Sequence, residues 1–128
     1  MYLLDTHVVL WMAFEPKRIP AKTAKLLARR ETPLCFSVAT LWEVAIKSSL
    51  GRAEFQVNAR GLHEGLLAEG VNELAIRPEH VFRVASLPWV HRDPFGRLLV
   101  AQAMAEQITL LTCDRRLQVY GRRHVQVA

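Results

Sequence analysis

Short apolar segments that alternate with longer amphipathic segments are the feature that most constrains how this chain can fold. Short apolar runs bounded by polar residues are typical of buried strands, and apolar residues spaced three and four apart are typical of helices. The predicted strands are residues 2–4, 34–36, 73–76, 109–112 and 125–127. The predicted helices are residues 8–13, 21–30, 38–50, 59–69, 79–87 and 94–107, with a helical turn over 115–120. Because helical segments separate the strands, we predict an α/β fold with a mainly parallel sheet covered on both faces.

The composition is that of a folded chain with one core. Of the 128 residues 51% are hydrophobic and 23% charged, which excludes a disordered chain and fits one domain. The polar residues that interrupt the apolar N-terminal region are Asp5, His7, Glu15, Lys17 and Arg18. They exclude a membrane span and a secretory signal there, so no membrane association is expected. Cys35 and Cys113 form no CxxC pair, and we expect a reducing, cytoplasmic environment.

Basic residues outnumber acidic ones, 17 against 12, which gives a net charge of +5. They concentrate in residues 17–30 and 92–128. A basic domain is compatible with a polyanionic partner, and its cations would hold the phosphate backbone of RNA or DNA. The arginines that we predict for backbone contacts are Arg92, Arg97, Arg115 and Arg116.

Two carboxylates follow predicted strands. Asp5 ends the first strand, and Asp114 follows the strand at 109–112. Ligands bind outside the carboxyl ends of the strands in parallel sheets, so the two carboxylates would meet there if their strands are neighbours. A charged side chain at the end of an apolar strand costs free energy unless it is paired or bound to a metal. We therefore treat this sheet edge as the candidate site.

Each candidate acid also has an ordinary structural interpretation. Helix capping explains Asp5, Asp93 and Asp114, and an ion pair with Lys47 four residues later explains Glu43. Taken together, carboxylates with no sequence-adjacent His or Cys favour a hard cation, Mg²⁺ or Mn²⁺. Such an ion activates water and neutralises charge on a phosphodiester, so these residues favour a metal-dependent phosphodiesterase.

Two threonines beside these acids, Thr6 and Thr112, either orient a metal-bound water or serve as caps. The histidines are scattered, and we do not expect them to form a metal site. They are His7, His63, His80, His91 and His124.

Three segments resemble one known family. They are YLLDTH at residues 2–7, SVATLWEVAIK at 37–47 and HRDPF at 91–95 with the helix that follows it, joined by TCD at 112–114. These motifs are similar to the PIN domain family, most of all to the VapC-type toxins of bacterial toxin–antitoxin pairs. The resemblance covers the chain in order, and it predicts a single PIN domain over residues 1–128.

The resemblance implies a three-layer α/β/α fold around a central five-stranded, mainly parallel sheet with the first strand in the middle. It further implies a cytoplasmic endoribonuclease that depends on Mg²⁺ or Mn²⁺. A cognate VapB-like antitoxin would neutralise it, and the chain would form a homodimer or a hetero-oligomer with that antitoxin.

The family's acidic residues carry over to Asp5, Glu43 and Asp114 as catalytic and metal-binding residues. The third family acid is missing, because Gly96 stands at its place. Asp93, three residues earlier, is an accessory catalytic and metal-binding candidate. Two interpretations stay open: a toxin whose ribonuclease activity is reduced by Gly96, and an impaired PIN-type module that binds antitoxin or RNA without cutting.

Overall fold

The computed structural model describes residues 1–128 and has a five-stranded parallel sheet at its centre. The strands are β1 (Tyr2–Leu4), β2 (Leu34–Ser37), β3 (Asn72–Leu74), β4 (Thr109–Thr112) and β5 (Val125–Val127). Their order is β3-β2-β1-β4-β5, and every neighbouring pair is parallel. The predicted parallel sheet with the first strand in the middle is therefore confirmed.

Helices cover both faces of the sheet. They are α1 (Thr6–Phe14), α2 (Ala21–Ala28), α3 (Val38–Ser49), α4 (Ala59–Ala68), α5 (Pro78–Ser86) and α6 (Pro94–Glu106). Short 3₁₀ helices occupy Pro16–Arg18 and Arg115–Tyr120. No helix combines the length and the apolar character that a membrane span requires.

Successive side chains of β1 point to opposite faces and enter two separate cores. Leu3 belongs to the core that contains Leu99 of α6 and Leu110 of β4. Leu4 belongs to the core that contains Phe36 of β2 and residues of α1, α3 and α4. Because both of its faces are buried, the central strand β1 is apolar along its whole length, as buried parallel strands usually are. The three-layer α/β/α architecture is confirmed.

Some element boundaries differ from the prediction. Helix α1 begins at Thr6 rather than at residue 8, since the Asp5 carboxylate accepts a hydrogen bond from the Thr6 amide at 2.8 Å and caps the helix. Strand β3 ends at Leu74 rather than at residue 76. There the carbonyl of Ala75 accepts a hydrogen bond from the Gln102 side chain in α6 at 3.3 Å.

The order of the strands places the acidic segments. β1 and β4 are neighbours, and the Asp5 amide donates to the Leu111 carbonyl at 2.9 Å. Since parallel strands end at the same sheet edge, Asp5 and Asp114 emerge side by side. Helix α6 begins at this edge behind Asp93, whose side chain accepts from the Phe95 amide at 3.0 Å.

Candidate functional site

A small acidic cavity of about 190 Å³ lies at the carboxyl edge of the sheet. It is lined by Asp5, His7, Glu43, Asp93, Gly96, Cys113, Asp114, Arg116 and Leu117. All four predicted acids therefore meet around one space, which is what a shared cation would require. Gly96, at the place of the missing family acid, lines the same space.

Asp5 is the most constrained of these acids. It is buried, and its Oδ1 and Oδ2 accept hydrogen bonds from the Thr6 amide and from the Thr112 hydroxyl, the latter at 2.5 Å. Both donors are neutral, and Asp5 takes part in no salt bridge. Burial raises the pKa of Asp5 in spite of these hydrogen bonds. A cation in the cavity would offset this burial cost, so the donor set fits a metal ion.

Glu43 reaches the cavity from α3. It is 4% exposed, and its Oε1 accepts from the Thr6 hydroxyl at 2.8 Å. Its Oε2 accepts from the Lys47 ammonium at 2.6 Å, so the predicted helical ion pair is present. Thr6 thus orients Glu43 as Thr112 orients Asp5, and their predicted role toward a water stays a prediction.

Asp114 is held by two other side chains. Arg116 donates from Nε to Oδ1 and from its terminal nitrogen to Oδ2, each at 3.0 Å. The His91 ring lies 3.0 Å from the same Oδ2. Chiefly because of the Arg116 hydrogen bonds, and in spite of partial burial, the pKa of Asp114 is lowered to about 2. Asp114 is therefore ionised across the physiological range.

Because Gly96 has no side chain, the Asp93 carboxylate lies close to its backbone. A Cβ atom at Gly96 would lie 3.3 Å from Asp93 Oδ2 and 3.6 Å from Leu117 Cδ2. Asp93 Oδ1 caps α6 at the Phe95 amide, and the other oxygen faces Gly96. The capping interpretation of Asp93 is confirmed, and its free oxygen still borders the cavity.

One prediction was wrong: Arg97 is not available to an RNA backbone. It is 2% exposed, because residues 96–103 of α6 are buried without interruption. Its guanidinium donates to the carbonyls of Val84, Leu87 and Pro88 and stacks on Trp89 at 4.1 Å. Arg92, Arg115 and Arg116 are exposed.

A second acidic group lies at the far end of α6. Glu79, His80 and Glu106 form the only trio of ligand-type side chains whose donor atoms all lie within 4.8 Å of one another. His80 Nδ1 accepts from the Arg77 amide at 3.0 Å, so Nε2 carries the proton and donates to Glu106 at 3.0 Å. With both ring nitrogens engaged, this trio is a structural contact. The cavity acids are less compact, and Lys47 and Arg116 hold two of them.

Comparison with known proteins identifies the family. The model of the PIN domain matches residues 2–123. The chain belongs to the PIN domain family. Ribonuclease VapC22 of Mycobacterium tuberculosis (strain ATCC 25618 / H37Rv) is 28% identical to this PIN domain over 117 residues, which are 91% of this chain and 88% of the relative.

Solved structures share the fold of this PIN domain. VapBC2 from Rickettsia felis, bound to a DNA fragment from its promoter, gives a TM-score of 0.73 at 16% identity, over 98% of this chain and 97% of the other. A toxin–antitoxin complex from Klebsiella pneumoniae gives 0.63 at 18% identity, over 98% and 96%. At these sequence identities the structural similarity shows the fold alone.

Sequence reasoning missed the contacts of two residues in the cavity region. His91 holds Asp114, although it was grouped with the scattered histidines. Arg116 is exposed, as expected for an RNA contact, and it also pairs with Asp114, which was not predicted from the sequence. Its spacing of two residues from Asp114, directly after a strand, was the available signal. His91 is the first residue of the HRDPF motif at residues 91–95, but no local pattern pairs it with Asp114, 23 residues away.

Proposed function

We propose that residues 1–128 form a single PIN domain that acts as a VapC-type toxin and cleaves RNA phosphodiester bonds with Mg²⁺ or Mn²⁺. The observation that carries the proposal is the convergence of Asp5, Glu43, Asp93 and Asp114 on one cavity at the carboxyl edge of the sheet. The similarity to a protein named as a ribonuclease supports RNA as the substrate. The cytoplasm is the compartment where that substrate is found.

Asp5, Glu43 and Asp114 would hold the ion, with Asp93 as an accessory ligand. Carboxylate oxygens are the ligands that Mg²⁺ and Mn²⁺ prefer. When bound, such an ion supplies an activated water and neutralises negative charge at the phosphodiester. The protein contributes the orientation of its acids, since Thr112 and Thr6 donate to Asp5 and Glu43.

Exposed arginines beside the cavity would hold the RNA backbone. Arg92 and Arg115 are exposed, as is Arg116, which lies at the cavity itself. Arginine matches the geometry of phosphate oxygens with two parallel hydrogen bonds. Arg116 would exchange its contact with Asp114 for a phosphate when metal neutralises that carboxylate.

Gly96 reduces the activity in this proposal. The family acid at this place would add a fifth carboxylate to the four that line the cavity. In its absence this chain offers the Asp93 oxygen that faces Gly96. We expect weaker metal binding and slower cleavage than in a chain that has the acid, with an unchanged fold.

A binding module without cleavage is the second candidate. The contacts that favour it are the pairs of Glu43 with Lys47 and of Asp114 with Arg116, because both carboxylates are already neutralised by the chain's own cations. In this case the protein would engage an antitoxin, RNA or both without catalysis.

The proposed partner in both cases is a cognate VapB-like antitoxin, as in the toxin–antitoxin complexes that share this fold. Basic side chains of such a partner would pair with the cavity carboxylates, as Lys47 and Arg116 do here. An open, mostly apolar groove of about 690 Å³, lined in part by Met12, Phe14 and Leu66, offers it a second contact. Co-purification of a short partner that blocks cleavage supports this assignment, and a partner that leaves the cavity open to RNA contradicts it.

A homodimer is also proposed. Trp42, Ile46 and Leu50 are exposed and four residues apart, so they form one apolar row along α3 and its C-cap residue. Burying such a row against a second copy would remove apolar surface from water. Light scattering tests this: Ile46→Glu should shift the mass from dimer to monomer, and the exposed Phe82→Glu on α5 should leave it unchanged.

Cleavage of a mixed RNA pool with Mn²⁺, with EDTA as the control, tests the function. The proposal predicts Mn²⁺-dependent cleavage that is lost in EDTA and in Asp5→Asn. Glu79→Gln, an acid at the far end of α6, is the matched control and should cleave like the wild type. Antitoxin or RNA binding without any cleavage by the wild type would favour the binding module.

A further inference from the structure

His91 joins two segments that carry cavity acids. It is 5% exposed and lies in the loop between α5 and α6. Its Nδ1 accepts from the Asp93 amide at 3.1 Å, so the proton of the neutral ring is on Nε2. Nε2 then donates to Asp114 Oδ2 at 3.0 Å. One ring therefore connects the start of α6 to the segment after β4.

The loop that carries His91 is fixed by buried contacts. The Arg97 guanidinium donates to the carbonyls of Leu87 at 3.3 Å and of Pro88 at 2.8 Å. The Tyr120 hydroxyl donates to the same Pro88 carbonyl at 3.0 Å. Helix α6 and the second 3₁₀ helix thus hold the start of the His91 loop from two sides.

We propose that His91 is a positioning residue that holds the Asp93 and Asp114 segments in the arrangement needed for metal binding. The inference rests on the proposed function, because it concerns the same carboxylates. Groups that hydrogen-bond to metal ligands commonly change metal affinity or activity by about 10–100-fold. His91 acts through Asp114 and makes no contact with the ion or the substrate in this role.

Two substitutions separate the two ends of the ring. The amide of His91→Asn can take the place of Nδ1 but does not reach Asp114, whereas the longer His91→Gln can donate to Asp114 from the place of Nε2. We expect His91→Asn to weaken Mn²⁺ binding about tenfold in titration calorimetry. We expect His91→Gln to stay within about threefold of the wild type, since it keeps the Asp114 contact. In cleavage, His91→Asn should lower kcat and leave KM for RNA unchanged.

His80→Asn is the matched control. His80 has the same arrangement, with Nδ1 accepting from an amide and Nε2 donating to a carboxylate, but at the other end of α6. The control should lower the melting temperature and leave the affinity for Mn²⁺ unchanged. Ring nitrogen-15 shifts of metal-free wild-type protein should report the Nε2–H tautomer of His91.

Several outcomes overturn the inference. One is wild-type Mn²⁺ affinity in His91→Asn; another is an equal loss in His91→Asn and His91→Gln that follows the loss of melting temperature. Either of these leaves the proposed function intact. A wild-type protein that neither binds Mn²⁺ nor cleaves RNA overturns the proposed function and this inference with it, even when the ring shifts agree.

Discussion

The two ends of α6 carry the same contact in different surroundings. At one end His91 donates to Asp114, and at the other His80 donates to Glu106, each at 3.0 Å with a backbone amide on Nδ1. The His80 end is compact, and both ring nitrogens of His80 have partners. The His91 end opens into a cavity with further acids, among them Asp5, which has no cationic partner.

The proposed metal site is therefore not the most compact group of ligand-type side chains in the molecule. The trio around His80 is tighter than the cavity acids, yet its histidine accepts from both the Arg77 amide and the Gln102 side chain, so no ring nitrogen has a free lone pair. The cavity instead combines a buried carboxylate with space for an ion. A buried carboxylate that lacks a cationic partner and borders a cavity is the better indication of a metal site.

The largest expected effect is that of Asp5→Asn. We expect Mn²⁺-dependent cleavage to fall at least about 100-fold, since changes in groups that only orient metal ligands already cost about 10–100-fold. The metal-free variant should melt at a higher temperature than the wild type, because the substitution removes a buried charge and keeps acceptor and donor atoms for Thr6 and Thr112. Cleavage assays and thermal melts check this. An unchanged cleavage rate would contradict the proposal that the cavity at the His91 end of α6 is the active site.

Gly96→Asp should strengthen metal binding at the cavity. A carboxylate in the first turn of α6 adds a ligand and is favoured by the exposed amides of the helix start, so we expect about tenfold tighter Mn²⁺ binding and faster cleavage. The new Cβ requires the Asp93 carboxylate, 3.3 Å away, to shift slightly. Without metal the added charge repels its neighbours, so the melting temperature should rise only when Mn²⁺ is present.

Gly96→Ala is the control for that prediction. It adds the same Cβ atom and the better helix propensity of alanine without the carboxylate. Calorimetry should find no gain in Mn²⁺ affinity for it. Equal affinity and turnover of Gly96→Asp and the wild type would mean that Asp93 already fills the role of the missing acid.

Arg116→Ala should strengthen the binding of Mn²⁺ and weaken the binding of RNA. Removing the cation that occupies Asp114 should tighten Mn²⁺ binding a few-fold, and losing a phosphate contact should raise KM for RNA. Arg115→Ala, the adjacent exposed arginine, is the control for the calorimetric part. Tighter metal binding without any change in KM would restrict Arg116 to its contact with Asp114.

The same pair sets a pH dependence of the metal-free protein. Because the pKa of Asp114 is lowered from 3.8 to about 2, its ionised form stabilises the fold above the ordinary value, and this contribution is lost as the pH falls toward about 2. In Arg116→Ala the pKa returns toward its ordinary value. Denaturation at several pH values should therefore show a smaller acid-induced loss in the variant than in the wild type.

The smallest effect is expected for Glu106→Gln. The amide can still accept from His80, so we expect a change in the free energy of unfolding of about 1 kcal/mol or less and no change in Mn²⁺ affinity. A clear loss of Mn²⁺ affinity would mean that the ion binds at the trio of Glu79, His80 and Glu106. The His80 end of α6, and not the His91 end, would then be the metal site.

Periodicity predicted the fold well, because the parallel sheet forces apolar strands and capped helices whose signals are local. Asp93 with Pro94 predicted the start of α6, and the helix begins there. The strand ends at Asp5 and Thr112 predicted where two of the cavity acids lie. These signals lie within a few residues of the structure that they predict.

The errors came from contacts between distant parts of the chain. Arg97 was predicted to be exposed because it lies in residues 92–128, where basic residues concentrate. However, α6 is buried across residues 96–103, and the Arg97 guanidinium donates to carbonyls 9 to 13 residues away. His91 depends on the same loop. No local pattern reveals which arginine enters the core, since that is decided by the unpaired carbonyls that the loop leaves inside.

Locating the bound ion tests the central claim most directly. Small amounts of Mn²⁺, a paramagnetic ion, broaden the amide signals of nearby residues in a nitrogen-15 spectrum of the wild-type protein. The cavity assignment predicts that the amides of residues 5–7, 93, 95, 96 and 113–116 lose intensity first, while those of Arg77, His80 and Glu106 keep theirs. Broadening centred on His80 and Glu106, or none that saturates with added Mn²⁺, would contradict the claim that the acids at the carboxyl edge of the sheet form the metal site.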